Sequence, residues 1–137
     1  MNWFRGAGFY QGHESNIEVE FRAVLEKAVG NGEIPPFHTG EKIVLLETEP
    51  DFSWRGKIDV AFYWDGPSHD KVKQGVKDDV QNDYLTRKGI KVIRIHYDGK
   101  KVSNEKKMVA YKWLKEVLED GSSKKLYEFD LEDGPIV

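Results

Sequence analysis

Apolar residues first recur at helical spacing from position 17. Ile17, Phe21, Val24, Leu25 and Ala28 fall on one stripe, and Ser15-Asn16-Ile17-Glu18 opens it with the Ser-x-x-Glu form of a capping box. This predicts a helix that stops at Gly30-Asn31-Gly32, with Pro35-Pro36 keeping helix out of the following loop. The period then changes. Lys42 to Leu46 is rich in Ile, Val and Leu, while Phe52 to Trp54 and Ile58 to Trp64 are aromatic and β-branched, separated by the turn-like Arg55-Gly56. Three strands in a meander are expected.

Asp65-Gly66-Pro67-Ser68 breaks the strand pattern, after which Val76, Val80, Tyr84 and Leu85 return to helical spacing and Gly89 suits a C-cap. Ile90 to Ile95 reads as a short buried strand. Ser103 begins a last helix, with Met108, Tyr111, Leu114, Val117 and Leu118 on its apolar stripe and an end near Gly121. Leu126 to Leu131 alternates, as an edge strand or a docked strap would. Trp3, Phe4, Phe9 and Tyr10 carry no period and read as an arm laying rings over the core; wedging between base steps is the rarer use of such residues. The order α, β, β, β, α, β, α predicts an α/β fold, a mixed sheet with helices packed against it.

At 137 residues the chain fits one domain, read as an arm (1–13), a core (14–119) and an acidic tail (120–137). No run approaches the length of a membrane span and the start lacks the apolar centre of a signal peptide, so the expectation is a cytoplasmic, soluble protein with no membrane partner. With no cysteine, any metal must be held by carboxylate, carbonyl or imidazole. The net charge of -3 opposes phosphate binding, although the basic residues cluster; Lys71, Lys73 and Lys77 are the candidate DNA contacts, against the plainer reading of such runs as solvated surface.

Asp51 precedes the middle strand and Asp65 ends the next. If those strands pair through the turn at Arg55-Gly56, the two carboxylates meet at one sheet edge and repel unless a cation lies between them, and an all-oxygen site suits Mg²⁺ or Mn²⁺. Asp-Gly is also a common turn dipeptide. His69-Asp70 follows in a loop beside that edge, where an imidazole can take a proton from water or give one to a leaving oxygen; an exposed loop histidine is the plainer reading. Asp59 rivals Asp51, since it too sits at a strand. Glu18 serves either its capping box or the site. Arg94 holds a phosphate or pairs with a nearby acid.

The run Pro50-Asp51-Phe52, then Lys57 through Asp65-Gly66-Pro67-Ser68-His69-Asp70, resembles the "DF... strand... DG-x-x-H" pattern of the Vsr-like branch of the PD-(D/E)XK nucleases. Asp78, Leu85, Gly89 and Arg94 resemble that family's continuation, and Ser15, Glu18 and Leu25 its first helix. The group includes mismatch-repair nicking enzymes of the very-short-patch type, EDxHD homing endonucleases and helicase-linked domains. The resemblance implies a restriction-endonuclease-like core and a divalent-metal-dependent DNA endonuclease, nicking or cutting both strands. It implies Asp51 as central metal ligand, His69 as catalytic histidine and Glu18 as the helix acid reaching the site, with Asp65 and Asp78 at further acidic positions. Only Asp51 gives the family's gap to His69. Tyr63 stands where many relatives carry Glu, no lysine completes the triplet, and Gln81 stands where relatives often carry Arg. These departures point to a histidine-assisted, one-metal or incomplete-triplet site. They also motivate a second hypothesis, a nuclease-like fold without catalysis that binds DNA or docks a protein. A homodimer or a partner subunit supplying the basic surface is a third.

Overall fold

The chain is described by a computed structural model, which covers residues 16–40, 49–67 and 71–136. The first helix, α1 (Asn16–Gly30), buries the stripe its periodicity predicts: Ile17, Phe21, Leu25 and Ala28. Ser15 and the predicted strand at 42–46 lie outside the described residues. After α1 come β1 (His38–Thr39), β2 (Phe52–Trp54) and β3 (Val60–Asp65), then α2 (Lys71–Arg87), β4 (Lys91–His96), α3 (Asn104–Glu119), β5 (Leu126–Asp130) and β6 (Gly134–Pro135). Among the described residues this is an α/β fold with three helices and a six-stranded mixed sheet, and no helix is long and apolar enough to cross a membrane.

Strand order follows chain order. β1, β2 and β3 pair antiparallel, β3, β4 and β5 parallel, and β6 returns antiparallel on β5. Because β2 runs against β3, the start of β2 lies beside the end of β3, and Asp51 N–H donates to the Phe62 carbonyl at 2.9 Å. The parallel register sets Asp65 opposite His96 and His96 opposite Asp130, so three strands end at one level. Chemistry expected at Asp51 and Asp65 therefore shares one sheet edge.

Strand alternation divides the core into two faces. Val60, Phe62 and Trp64 of β3, Ile93 and Ile95 of β4, and Tyr127 and Phe129 of β5 pack with α1 and α3. Ala61, Tyr63 and Val92 point the other way, against Leu85 of α2. Among the described residues the segment 126–130 is thus an interior strand of the sheet, flanked on its outer side by the two-residue β6, and its Tyr127 and Phe129 belong to the core. Lys91 is also drawn inward: its ammonium donates to the carbonyls of Val117 and Asp120, both at 2.9 Å, and so satisfies orphan acceptors at the end of α3.

Two helices depart in part from the faces their apolar periodicity predicts. In α2, Val76 and Val80 are 61% and 58% exposed, while Gln74, Asp78, Gln81, Asn82 and Leu85 turn toward the sheet. Those inward positions also recur at helical spacing, so the buried stripe of α2 is mostly polar. In α3 the expected Tyr111, Leu114 and Val117 are buried and Leu118 partly so, but Met108 is exposed and Lys107 and Ala110 are buried beside them. Ser103 caps α3 as expected, accepting from Lys106 N–H at 3.2 Å. Gly89 ends α2 at φ +83°, where Gly89 N–H donates to Thr86 and Ile90 N–H to Leu85, a paired closure that a left-handed residue permits.

Candidate functional site

An aromatic cluster fixes the geometry of the edge. Phe21 is fully buried, edge-on to Trp64 at 5.0 Å between ring centroids and stacked near Phe62 at 5.9 Å; Phe52 closes the group against Phe62 at 5.6 Å. Glu18 lies one helical turn before Phe21, and Asp51 immediately precedes Phe52. Packing of the rings therefore brings the two acids together from different elements. Asp51 Oδ2 accepts the Trp64 backbone N–H at 2.6 Å, and Glu18 lies within hydrogen-bonding reach of the same carboxyl group.

Burial pushes the Asp51 carboxyl well above the usual carboxylate range, and the charge of Glu18 pushes it further; the Trp64 amide pulls it back, and Asp65 adds a smaller repulsion. Glu18, Asp51 and Asp65 are thus electrostatically one group. Two acids facing each other on a partly buried edge destabilise the fold unless they share a proton or a cation.

Asp65 has a different partner. Arg94, 1% exposed, extends Nη1 to both Asp65 oxygens at 3.1 Å, Nε to Asn82 Oδ1 at 2.7 Å and Nη2 to Gln81 Oε1 at 2.8 Å. Asp78 Oδ1 stands 3.7 Å from the same Nη1 and accepts from Gln74 Nε2 at 2.8 Å. The Tyr63 ring lies under the guanidinium, 4.3 Å from centroid to Cζ. A buried cation is tolerable only when each face of its fork is engaged, and here the polar stripe of α2 engages it. Burial still raises the Asp65 carboxyl above its ordinary range, with Arg94 pulling it down. Arg94 therefore takes the acid-pairing role of the two open to it.

His96 and Glu128 complete this face. His96 Nε2 is 3.2 Å from Glu128 Oε1, and its Nδ1 is 3.8 Å from Asp65 Oδ2. Both residues escape a reading that treats 90–95 as one apolar run; strand alternation, with Val92, Arg94 and His96 on one side, is the signal that finds them.

The remaining candidates are placed as follows. Asp59 sits at the opposite end of β3, where its carboxylate accepts from Gly56 N–H and pairs with Arg55 at 3.3 Å, so it closes the β2–β3 turn and is remote from Asp65. Lys77 is exposed on α2. His69 and Asp70 lie outside the described residues, as do the side chains of Lys71 and Lys73. Among the described residues no three His, Asp or Glu side chains stand close enough to cage a metal. The Glu18–Asp51 pair nonetheless has the all-oxygen chemistry that suits Mg²⁺, which keeps several waters and takes one or two carboxylates together with substrate phosphate. Asp65, held by Arg94, suits that role less well.

Comparison with protein-family models, with curated proteins and with solved structures finds no match.

Proposed function

We propose that the chain is a Mg²⁺- or Mn²⁺-dependent DNA endonuclease built on a restriction-endonuclease-like core, with Glu18 and Asp51 as its cation-holding pair. The observation that carries this reading is the meeting of those two carboxylates at the sheet edge, with Asp51 driven to a raised proton affinity. Such a pair is more stable with a cation than without one. A divalent ion bound there would polarise a phosphodiester and lower the pKa of an attacking water.

The protein's own groups do the rest. Trp64 N–H orients the Asp51 carboxylate beside Glu18. His69, two residues beyond Pro67 in the sequence, takes a proton from water or supplies one to the leaving oxygen. Asp65, fixed by Arg94 and flanked by His96, borders the site. Tyr63 replaces a family carboxylate with a ring that supports Arg94.

The test is conversion of supercoiled plasmid to nicked or linear DNA in Mg²⁺ or Mn²⁺, with EDTA as control. D51N and H69A should each lose at least about a hundredfold in rate, the scale of a lost acid–base or electrostatic group, while remaining folded. Cleavage unchanged in both variants contradicts the proposal. A second reading, a DNA-binding or protein-docking module without catalysis, is favoured by the hold of Arg94 on Asp65 and predicts duplex binding without cleavage in any divalent metal.

A further inference from the structure

A nuclease centred on Glu18 and Asp51, with Asp65 at its border, must draw a polyanion toward an acidic edge, and the cation set against Asp65 is not free to help. Arg94 is buried and its donors are spent on Asp65, Gln81 and Asn82. Lys106 pairs with Glu132, and Lys107 with Glu20. Lys100 and Lys101, four and five residues past His96 in the β4–α3 loop, are exposed, and among the described residues neither ammonium pairs with an acid. With Lys106 they line a small notch of about 150 Å³ that also carries two acids, Asp98, which accepts from the Lys100 backbone N–H, and Glu132, which pairs with Lys106, so three ammonium groups face two carboxylates there.

The loop that carries them is tied to the candidate site. Tyr97 N–H donates to the Asp65 carbonyl at 3.0 Å, and the Tyr97 ring packs edge-on to Trp64 at 5.7 Å. Gly99, at φ +86°, lies so close to Pro67 that a Cβ would stand 2.9 Å from its ring carbons. The 97–101 loop is thereby clamped onto Gly66-Pro67, the segment that leads directly to His69. Val102, 6% exposed, anchors its far end.

We infer that Lys100 and Lys101 are contacts to the DNA sugar-phosphate backbone, holding the duplex on the β4 side of the candidate site. The inference rests on the nuclease reading for its ligand. Backbone contacts are electrostatic and independent of sequence, so removing them weakens binding to any duplex and flattens its salt dependence.

The test is binding of the full chain to a short fluorescein-labelled duplex in Ca²⁺, followed by anisotropy across a salt series. The double variant K100Q/K101Q should bind on the order of tenfold more weakly per lost contact at 0.1 M salt, with a log K against log salt slope shallower by about 2. K124Q/K125Q, at the opposite end of the sheet, removes the same charge and should leave the slope within about half a unit, because it loses no phosphate contact. An unchanged slope in K100Q/K101Q, with wild-type protein binding and cutting duplex, overturns the lysine contacts and leaves the nuclease reading intact. Equal losses in the two double variants overturn them as well, since net charge alone would then account for the effect. Wild-type protein that neither binds nor cuts duplex overturns both.

Discussion

Asp51 is where charge and burial meet in one side chain, and where the proposed cation site is centred. Its folded-state pKa lies above the value of about 3.9 expected for an unfolded chain. The folded state therefore binds its proton more tightly than the unfolded state, and the stability this gives is fully present below the unfolded pKa and lost as pH rises through the folded one. Once ionised, the carboxylate weakens the fold. D51N keeps an oxygen to accept from Trp64 N–H and removes the charge facing Glu18. In EDTA at pH 7.5 it should be more stable than wild type by about 1 kcal/mol, roughly 3–5 °C in Tm for a chain of this size. The difference should shrink as pH falls toward 4. Thermal melts across that range check it; a variant less stable than wild type at every pH would mean that Asp51 is a structural acceptor only.

At the scale of elements, the same network that withholds Arg94 from a ligand fastens α2 to the sheet. Among the described side chains of that helix Leu85 is the fully buried apolar one, and Gln81, Asn82 and Asp78 supply polar contacts where most helices use apolar ones. R94K keeps the charge but loses the planar fork that reaches Asn82, Gln81 and Asp65 at once. It should cost about 3 kcal/mol in urea unfolding, the scale of two charge-assisted hydrogen bonds. A cost below about 0.5 kcal/mol would show the network to be ornamental to the fold.

Which elements were legible in the sequence follows from the same physics. The β2–β3 hairpin was, because aromatic and β-branched runs flank a short polar turn, and α1 was, because Phe21 and Leu25 dominate its stripe. The inward face of α2 was not: Val76 and Val80 stand four apart and imitate a core stripe, and only the requirement to satisfy a buried Arg94 turns the polar face in. That requirement is tertiary. The meeting of Asp51 and Asp65 at one edge was legible from the hairpin. The separation of Asp59 from Asp65 was not, since both flank strand residues; the fold places Asp59 in the turn at the other end of β3. His96 and Glu128 were hidden for a related reason, as parallel pairing of β4 with β5 sets the level at which they meet.

For the whole molecule, an excess of acids is compatible with DNA binding only when basic side chains gather where the polyanion lies and acids gather where a cation belongs. The sheet edge divides in that way, with Glu18, Asp51 and Asp65 on its strands and helix α1, and Lys100 and Lys101 on the loop beyond β4. The central claim is that Glu18 and Asp51 are paired to hold a divalent cation, and Mn²⁺ binding to the full chain, read by electron paramagnetic resonance, tests it most directly. Wild-type protein should show saturable Mn²⁺ binding, strengthened by duplex DNA, that both E18Q and D51N lose while their circular dichroism remains that of the folded chain. Mn²⁺ binding of equal strength in all three proteins, or none in wild type even with DNA present, would contradict the account.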